Sequence, residues 1–229
     1  MENTLFIGDY AYSSWSLRGW LLFEKFGVPA TLRTVDFNDA RGVAEQMAEA
    51  RPARTVPTLV AGDGAVIWDS LAMAEELASR YPDAGHWPKD PGKRALARSL
   101  AAEMHSGFTA LRGDCPMNLR TAYSDSAPTE AVLADVARLQ TLWGYARDVC
   151  DHDGPWLCGD YSAADAFFAP VAARVAGYSL PVGTAAQAYV DAHLADDAFR
   201  KWRAWGLAHG DTLPWYAKPY PVKDWPGPA

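Results

Sequence analysis

Apolar and polar positions near the start of the chain alternate between strand and helix periodicities. Residues 4–8 (Thr-Leu-Phe-Ile-Gly) predict a buried strand, and residues 14–26 predict a helix because their apolar side chains recur on one face. Residues 31–36 alternate enough to predict a second strand, and residues 41–50 predict a short helix. The chain therefore begins with a strand, a helix, a strand and a helix.

The next segment combines a hairpin with a helix. Residues 55–60 predict a strand that passes through a turn at 61–64 into another strand at 65–68, and a helix is predicted over 70–80. The resulting βαβαββα order predicts a small open sheet whose first two strands are parallel and whose hairpin forms an antiparallel edge. A ligand crevice is expected at the carboxyl ends of the parallel strands, beside Ser13.

A segment rich in proline over residues 82–91 predicts a linker. Every long segment after the linker predicts a helix, and the proline-rich residues 210–229 predict an irregular tail on the surface. The predicted helices cover 93–112, 129–151, 162–177, 185–194 and 196–208. We therefore predict an α+β protein of two domains, the first over 1–81 and an all-helical second domain over 92–229.

One of these helices has a distinctive start. Ser162 can cap the N–H of Asp165, and the Asp165 carboxylate can accept in return from the N–H of Ser162. The helix that follows is apolar on nearly every face. We expect it to form the buried centre of the second domain.

Composition narrows the class of protein. Half of the 229 residues are hydrophobic and 21% are charged, which is typical of a globular chain, and the net charge of −7 argues against nucleic acid and anionic membranes as partners. No apolar run is long enough to span a membrane and no leader segment is recognisable, so we expect a soluble, cytoplasmic protein. The three cysteines have no CxxC spacing, so neither a disulfide framework nor a metal site is expected.

The candidate chemistry begins in the hydroxyl-rich turn at 12–18 (Tyr-Ser-Ser-Trp-Ser-Leu-Arg). A strand, a turn and a helix N-terminus in succession leave backbone N–H groups and hydroxyls able to face an anion, such as a thiolate. The alternative is that Ser13 or Ser14 is only the N-cap of the helix. This stretch alone leaves both interpretations open.

Four motifs together resemble the cytosolic glutathione transferase family over residues 4–208. They are the serine turn at 13–18, the Val-Pro-Thr-Leu turn at 56–59, the Asp-Ser helix start at 69–70 and the Ser-Ala-Ala-Asp box at 162–165. The serine turn is most similar to the zeta and related bacterial serine classes. The resemblance implies the glutathione transferase fold, with a thioredoxin-like first domain and an all-α second domain.

The resemblance also implies roles in the serine turn. Ser13 corresponds to the serine that is usually assigned the hydrogen bond to the glutathione thiolate, with Ser14 as its neighbouring substitute. Arg18 corresponds to an arginine that raises the positive field there.

The same resemblance assigns the binding of glutathione. Pro57 corresponds to a cis-proline beside which the Val56 backbone pairs with the cysteinyl part of the ligand. Ser70 corresponds to the residue that holds the γ-glutamyl carboxylate, and Asp69 is placed for its ammonium. Many members of the family have Glu or Gln at that position.

We predict that an electrophile binds mainly against residues 104–118, with contributions from the serine turn. His105 and Arg112 share a helix face there, but a hydrogen-bonded interhelical role for His105 and core packing for Met104 and Phe108 are alternatives. The predicted pocket residues are Tyr12, Trp15, Met104, His105, Phe108, Arg112 and Met117.

Three functions follow as hypotheses from different classes. The first is conjugation of glutathione, as cosubstrate, to a hydrophobic or mixed electrophile. The second is a glutathione-dependent cis–trans isomerase of a maleyl-type diacid, with Arg18 and Arg112 as carboxylate partners. The third is a non-catalytic module of the same fold. The resemblance further implies a homodimer in which the first domain of one subunit packs on the second domain of the other. Dithiol redox chemistry is disfavoured because the turn contains serines where that chemistry needs cysteine.

Overall fold

The computed structural model describes residues 2–228, and its first part is a four-stranded mixed sheet with helices. The elements are β1 (Thr4–Ile7), α1 (Ser14–Glu24), β2 (Thr31–Thr34), α2 (Val43–Gln46), β3 (Thr58–Val60), β4 (Val66–Trp68) and α3 (Ser70–Arg80). The strands lie in the order β2-β1-β3-β4, with β1 parallel to β2 and antiparallel to β3, and with β3 antiparallel to β4. The predicted βαβαββα order is therefore confirmed.

Two of these elements are shorter than predicted. The helix predicted over 41–50 consists of α2 and a separate 3₁₀ turn over Ala48–Ala50. The strand predicted over 55–60 begins only at Thr58, because Pro57 has no N–H to donate to a ladder. The residues before Thr58 remain in a loop, where the Thr58 hydroxyl donates to the Thr55 carbonyl at 2.7 Å.

The second part of the described chain is helical. Its helices are α4 (Pro91–Ser106), α5 (Thr109–Asp114), α6 (Glu130–Cys150), α7 (Ala163–Gly177), α8 (Thr184–Ala195) and α9 (Asp197–Ala208). Every residue of α7 is buried, and this helix packs against α1, α4 and α8. The predicted position of α7 at the centre is confirmed, since a helix that is apolar on all sides is stable only where other elements surround it.

The start of α7 is held by the predicted carboxylate. Asp165 accepts hydrogen bonds from the Ser162 N–H at 2.9 Å and from the Ser162 hydroxyl at 3.0 Å. The Ala163 N–H donates to the carbonyl of His86 at 2.8 Å. This bond fastens the predicted linker segment to the central helix.

The single helix predicted over 93–112 is wrong, because the chain turns between α4 and α5. Gly107 ends α4, and a Cβ at that position would lie only 2.8 Å from the Glu103 carbonyl oxygen. Phe108 then has a φ of 58°, a left-handed conformation that a continuous helix does not contain. This break changes which side chains of the segment reach the site.

The tail is more ordered than predicted. Val222–Lys223 forms β6, which pairs in antiparallel fashion with β5 (Ala122–Tyr123) about 100 residues earlier. A 3₁₀ turn over Pro214–Tyr216 places the ring of Tyr216 4.8 Å from that of Tyr12. The tail therefore reaches the carboxyl end of β1, where the crevice was predicted.

Candidate active site

A cavity of about 830 Å³ lies beyond the end of β1, between the sheet and the helical part. Most of the predicted site residues line it. Those from the sheet part are Tyr12, Ser13, Ser14, Trp15, Val56, Pro57, Asp69 and Ser70, and those from the helical part are Arg112 and Met117.

Four predicted residues do not line the cavity. Met104 is fully buried and Phe108 is 6% exposed, so both have the core-packing role given above as the alternative, and neither lines the cavity. The break after Ser106 explains this result, because it turns the start of α5 and not the end of α4 toward the cavity. Arg18 and His105 lie just behind the lining, each against the Trp15 ring.

The hydroxyl of Ser13 forms hydrogen bonds with Ser16 in the first turn of α1. Ser13 is the N-cap, and its Oγ accepts from the Ser16 N–H at 3.3 Å and donates to the Ser16 Oγ at 2.8 Å. The Ser16 hydroxyl in turn accepts from the Gly8 N–H at 2.8 Å, which ties the helix to the end of β1. Ser13 is therefore the N-cap of α1, which is the alternative that the sequence left open.

The hydroxyl of Ser14 has a different environment. Its Oγ accepts a hydrogen bond from Nη2 of Arg174 at 3.2 Å, and its O–H donates to no acceptor within residues 2–228. A hydroxyl that accepts from a guanidinium is polarised and becomes a better donor. Ser14 is therefore the serine whose proton is available to the cavity.

The turn at Val56 and Pro57 forms the wall opposite the serines. The peptide bond between these residues is cis. Gly19 of α1 makes the close packing possible, since a Cβ there would lie 2.6 Å from the Pro57 ring. A side chain at position 19 would push this turn away from α1.

At the start of α3, Asp69 and Ser70 have contrasting contacts. Oδ1 of Asp69 caps the helix by accepting from the Leu71 N–H at 2.7 Å, and Oδ2 lies 3.1 Å from Nε2 of His105. The Ser70 Oγ is fully buried and has no hydrogen-bond partner among the described residues. A buried hydroxyl without a partner at the edge of a cavity indicates a polar ligand.

Three arginines give the cavity a positive charge. The guanidinium carbons of Arg18 and Arg112 each lie 4.7 Å from the centre of the Trp15 ring, and Arg18 also lies 4.4 Å from that of Phe167. Burial, with repulsion from Arg112 and Arg174, lowers the pKa of Arg18 to about 9. Burial and repulsion from Arg112 lower the pKa of Arg174 to about 10.

These charges have little compensation from the protein itself. Arg112 donates to the carbonyls of His105 and Gly107, whereas Nε and Nη1 of Arg18 have no partner in the part of the chain that the structure describes. Across residues 2–228 none of the three guanidinium groups forms an ion pair with a carboxylate. A cluster of this kind in a chain of net charge −7 favours an anionic ligand.

Several lining residues were not among the predicted site residues, and the polar ones with side chains able to contact an anion include Arg54, Arg174 and Tyr216. A signal existed for Arg174, because it is the only basic residue of the apolar helix α7. A charge on such a helix needs a partner or a function. No comparable signal marks Arg54 or Tyr216.

A metal cluster and a membrane-spanning helix are both absent from the described residues. Across 2–228 there is no cluster of three or more His, Cys, Asp or Glu side chains that could hold a metal ion. Within the same range no helix has both the length and the apolar character needed to cross a membrane.

Comparison with known proteins agrees with this geometry. Residues 12–80 match the family model described as glutathione S-transferase, N-terminal domain. A crystal structure of a glutathione transferase homologue from Burkholderia, with bound glutathione, superposes with a TM-score of 0.68 at 25% identity, covering 91% of this chain and all of that one. Residues 12–80 therefore form a glutathione S-transferase N-terminal domain, and the chain as a whole has the glutathione transferase fold.

Two curated proteins are similar in sequence to parts of this chain. A probable maleylacetoacetate isomerase of Caenorhabditis elegans is 38% identical over 103 residues, which is 45% of this chain and 47% of that protein. Mouse glutathione S-transferase theta-3 is 28% identical over 154 residues, 64% of this chain and 62% of the relative. The aligned segments thus span about half and about three fifths of these relatives.

The extent of the family match separates the two walls of the cavity. It covers the serine turn, the Val56–Pro57 turn and the start of α3, and it ends before the linker. Arg112, Arg174 and Tyr216, which form the other wall, lie beyond it. The family model therefore includes the first wall of the cavity and does not extend to the second.

Proposed function

We propose that the protein binds glutathione in this cavity and catalyses its reaction with an electrophile. The observation that carries the proposal is the Ser14 hydroxyl, which faces the cavity at the N-terminus of α1 and is polarised by Arg174. A donor at a helix N-terminus stabilises a negative charge in front of it.

The residues present fit the tripeptide. The buried, unpartnered Ser70 hydroxyl can donate to the γ-glutamyl carboxylate at the start of α3, and the half-exposed Asp69 carboxylate can accept from the ammonium. Val56 offers its backbone to the cysteinyl part, and Arg54 lies beyond it as a cation for the glycyl carboxylate. Each charged end of glutathione thereby meets a group of opposite charge or a donor.

Bound glutathione would supply the nucleophile, its thiol sulfur. Ser14 would donate a hydrogen bond to the sulfur, and the start of α1 adds the positive end of its dipole. Together these effects would lower the thiol pKa by about 1–2 units, which corresponds to about 1.4–2.7 kcal/mol. Ser14 needs no base for this role, because it donates and is not deprotonated.

Titration calorimetry with glutathione, followed by conjugation assays across aryl and unsaturated electrophiles, tests the proposal. We expect binding and at least one conjugate. An S13A/S14A double variant that binds glutathione as tightly as the parent chain, together with no conjugation by the parent chain, would instead indicate a non-catalytic binding module.

A second candidate is the glutathione-dependent cis–trans isomerisation of a maleyl-type diacid. The observation that favours it is the group of three arginines without carboxylate partners, because a diacid would supply the missing negative charge. Arg112 and Arg174 face the cavity directly, and Arg18 acts from behind Trp15. Conversion of a maleyl keto-acid only when glutathione is present would support this reaction, whereas conversion without glutathione would contradict it.

We also propose that the protein forms a homodimer. An apolar groove between α4 and α6 leaves Tyr145 58% and Val149 48% exposed, and Trp68 on β4 is 47% exposed. A second copy that packs its sheet part on this groove would bury both surfaces. Sedimentation should give a dimer that Tyr145→Glu converts to a monomer, and a parent chain that is monomeric at every concentration would contradict the proposal.

A further inference from the structure

His105 links the helical part to two of the segments of the sheet part that line the cavity, the serine turn and the start of α3. It lies in the last turn of α4, with Nε2 3.1 Å from Oδ2 of Asp69 and its ring edge-on to Trp15 at 5.3 Å. Asp69 is the N-cap of α3, and Trp15 follows Ser14 at the start of α1. One side chain thus contacts both helix N-termini that face the candidate glutathione site.

The contact with Asp69 acts on a strained residue. Asp69 has φ 79° and ψ 126°, a conformation that is strained for a non-glycine residue and persists only where its surroundings hold it. Oδ1 is held by the N–H groups of Leu71 and Ala72. Only His105 holds Oδ2 among the described residues, so it determines how the second oxygen is oriented.

The imidazole holds this oxygen without cancelling its charge. Burial, with repulsion from Arg18 and Arg112, lowers the pKa of His105, although Asp69 opposes the shift, so the ring is neutral at pH 7. The buried Nδ1 has no partner within residues 2–228, which fits a neutral ring with its proton on Nε2. A lysine or arginine in the same place would neutralise Asp69, whereas a neutral histidine leaves its full charge for a ligand.

We propose that His105 is a positioning residue that orients the Asp69 carboxylate to accept the γ-glutamyl ammonium of glutathione. The inference rests on the proposed function. Since an aspartate reaches less far than a glutamate by one methylene, the direction of Oδ2, which can accept a second hydrogen bond, decides whether the ammonium is within reach. His105 supplies that direction from the other part of the molecule.

The test compares two ligands on the full chain by titration calorimetry. The ligands are glutathione and its des-amino analogue glutaryl-cysteinyl-glycine, which lacks only the ammonium. We expect His105→Ala to weaken glutathione binding about tenfold and to leave the affinity for the analogue unchanged, because the lost hydrogen bond acts through Asp69. His105→Gln, whose side-chain N–H can replace Nε2–H, should restore much of the loss.

His209→Ala is the matched control, because this exposed histidine lies outside the candidate site and should change neither affinity. Kinetics should show a raised KM for glutathione with kcat retained at saturation. An equal loss for both ligands would overturn the inference and reduce His105 to a packing residue, as would no loss for either. If the parent chain fails to bind glutathione at all, the proposed function itself is wrong.

Discussion

The helices α1 and α7 both have a serine as N-cap, but the polar groups at their N-termini have opposite surroundings. At α7, the buried Asp165 accepts from the Ser162 N–H and hydroxyl, the Leu157 N–H and the Tyr189 hydroxyl. At α1 the first turn contains no acidic residue, and the nearby Arg174 donates to a hydroxyl.

The difference separates a structural helix start from one that can bind a ligand. Around Asp165 the donors and the carboxylate satisfy one another, so the start of α7 has no need of an external group. Around Ser14 the start of α1 has no acidic residue in its first turn, and the three guanidinium groups form no ion pair with a carboxylate of residues 2–228. A capping serine alone therefore does not distinguish the two, whereas the presence of an acidic partner does.

The largest effect is expected from removing the carboxylate that accepts the hydrogen bonds at the start of α7. Asp165→Ala would leave buried donors of Leu157, Ser162 and Tyr189 without an acceptor, which should cost more than about 3 kcal/mol of unfolding free energy. Urea denaturation measures the loss. The control Asp191→Ala removes an exposed carboxylate of α8 and should change stability by less than about 0.5 kcal/mol. A loss below 1 kcal/mol for Asp165→Ala would contradict the structural role.

The next largest effect is a dependence of stability on pH, and it comes from His193, which packs on the Tyr189 ring. The two ring centres lie 4.6 Å apart, and burial lowers the pKa of His193 from 6.5 to about 3. The unfolded chain therefore binds a proton first as the pH falls, so stability is retained above pH 6.5 and declines toward pH 3 by up to about 1.4 kcal/mol per unit. His193→Phe should flatten the denaturation profile over this window. An unchanged slope would show that His193 does not titrate in this way.

The strands and helices differ in how well the sequence predicted them. β1, α6 and α7 were predicted to within a few residues, because long apolar patterns report burial directly. β5 and β6 were missed because each has two residues and pairs with a partner about 100 positions away. The break at Gly107 was missed because the apolar pattern continues through it.

One wall of the cavity could be predicted from the sequence, and the other could be predicted only in part. The position beside Ser13 follows from the strand order, which places the crevice at the end of β1 before any side chain is considered. Arg174 and Tyr216 reach the cavity only through the packing of α7 and the tail. No local pattern encodes that packing, which is why Arg174 was not among the predicted site residues.

A smaller effect is expected at the start of α1, where the quantity that changes is the pKa of the bound glutathione thiol. Ser14→Ala should raise the pKa of the bound glutathione thiol by about 1 unit, or about 1.4 kcal/mol, with stability nearly unchanged. The thiolate absorbance of the complex as a function of pH measures the shift. Ser106→Ala, which removes an exposed hydroxyl from α4, is the matched control. An unshifted thiol pKa in Ser14→Ala would remove Ser14 from the proposed chemistry.

The smallest effect distinguishes the two adjacent serines. Ser13→Ala removes the N-cap of α1 and its bond to the Ser16 hydroxyl, so it should cost about 1 kcal/mol of unfolding free energy. The thiol pKa of the complex should move by much less than in Ser14→Ala, since the Ser13 proton is directed to Ser16 and not to the cavity. Ser13→Thr keeps the hydroxyl and should retain most of the stability. If Ser13→Ala instead raises the thiol pKa at unchanged stability, the roles of the two serines are reversed, and the capping serine of α1 is also its ligand-binding group.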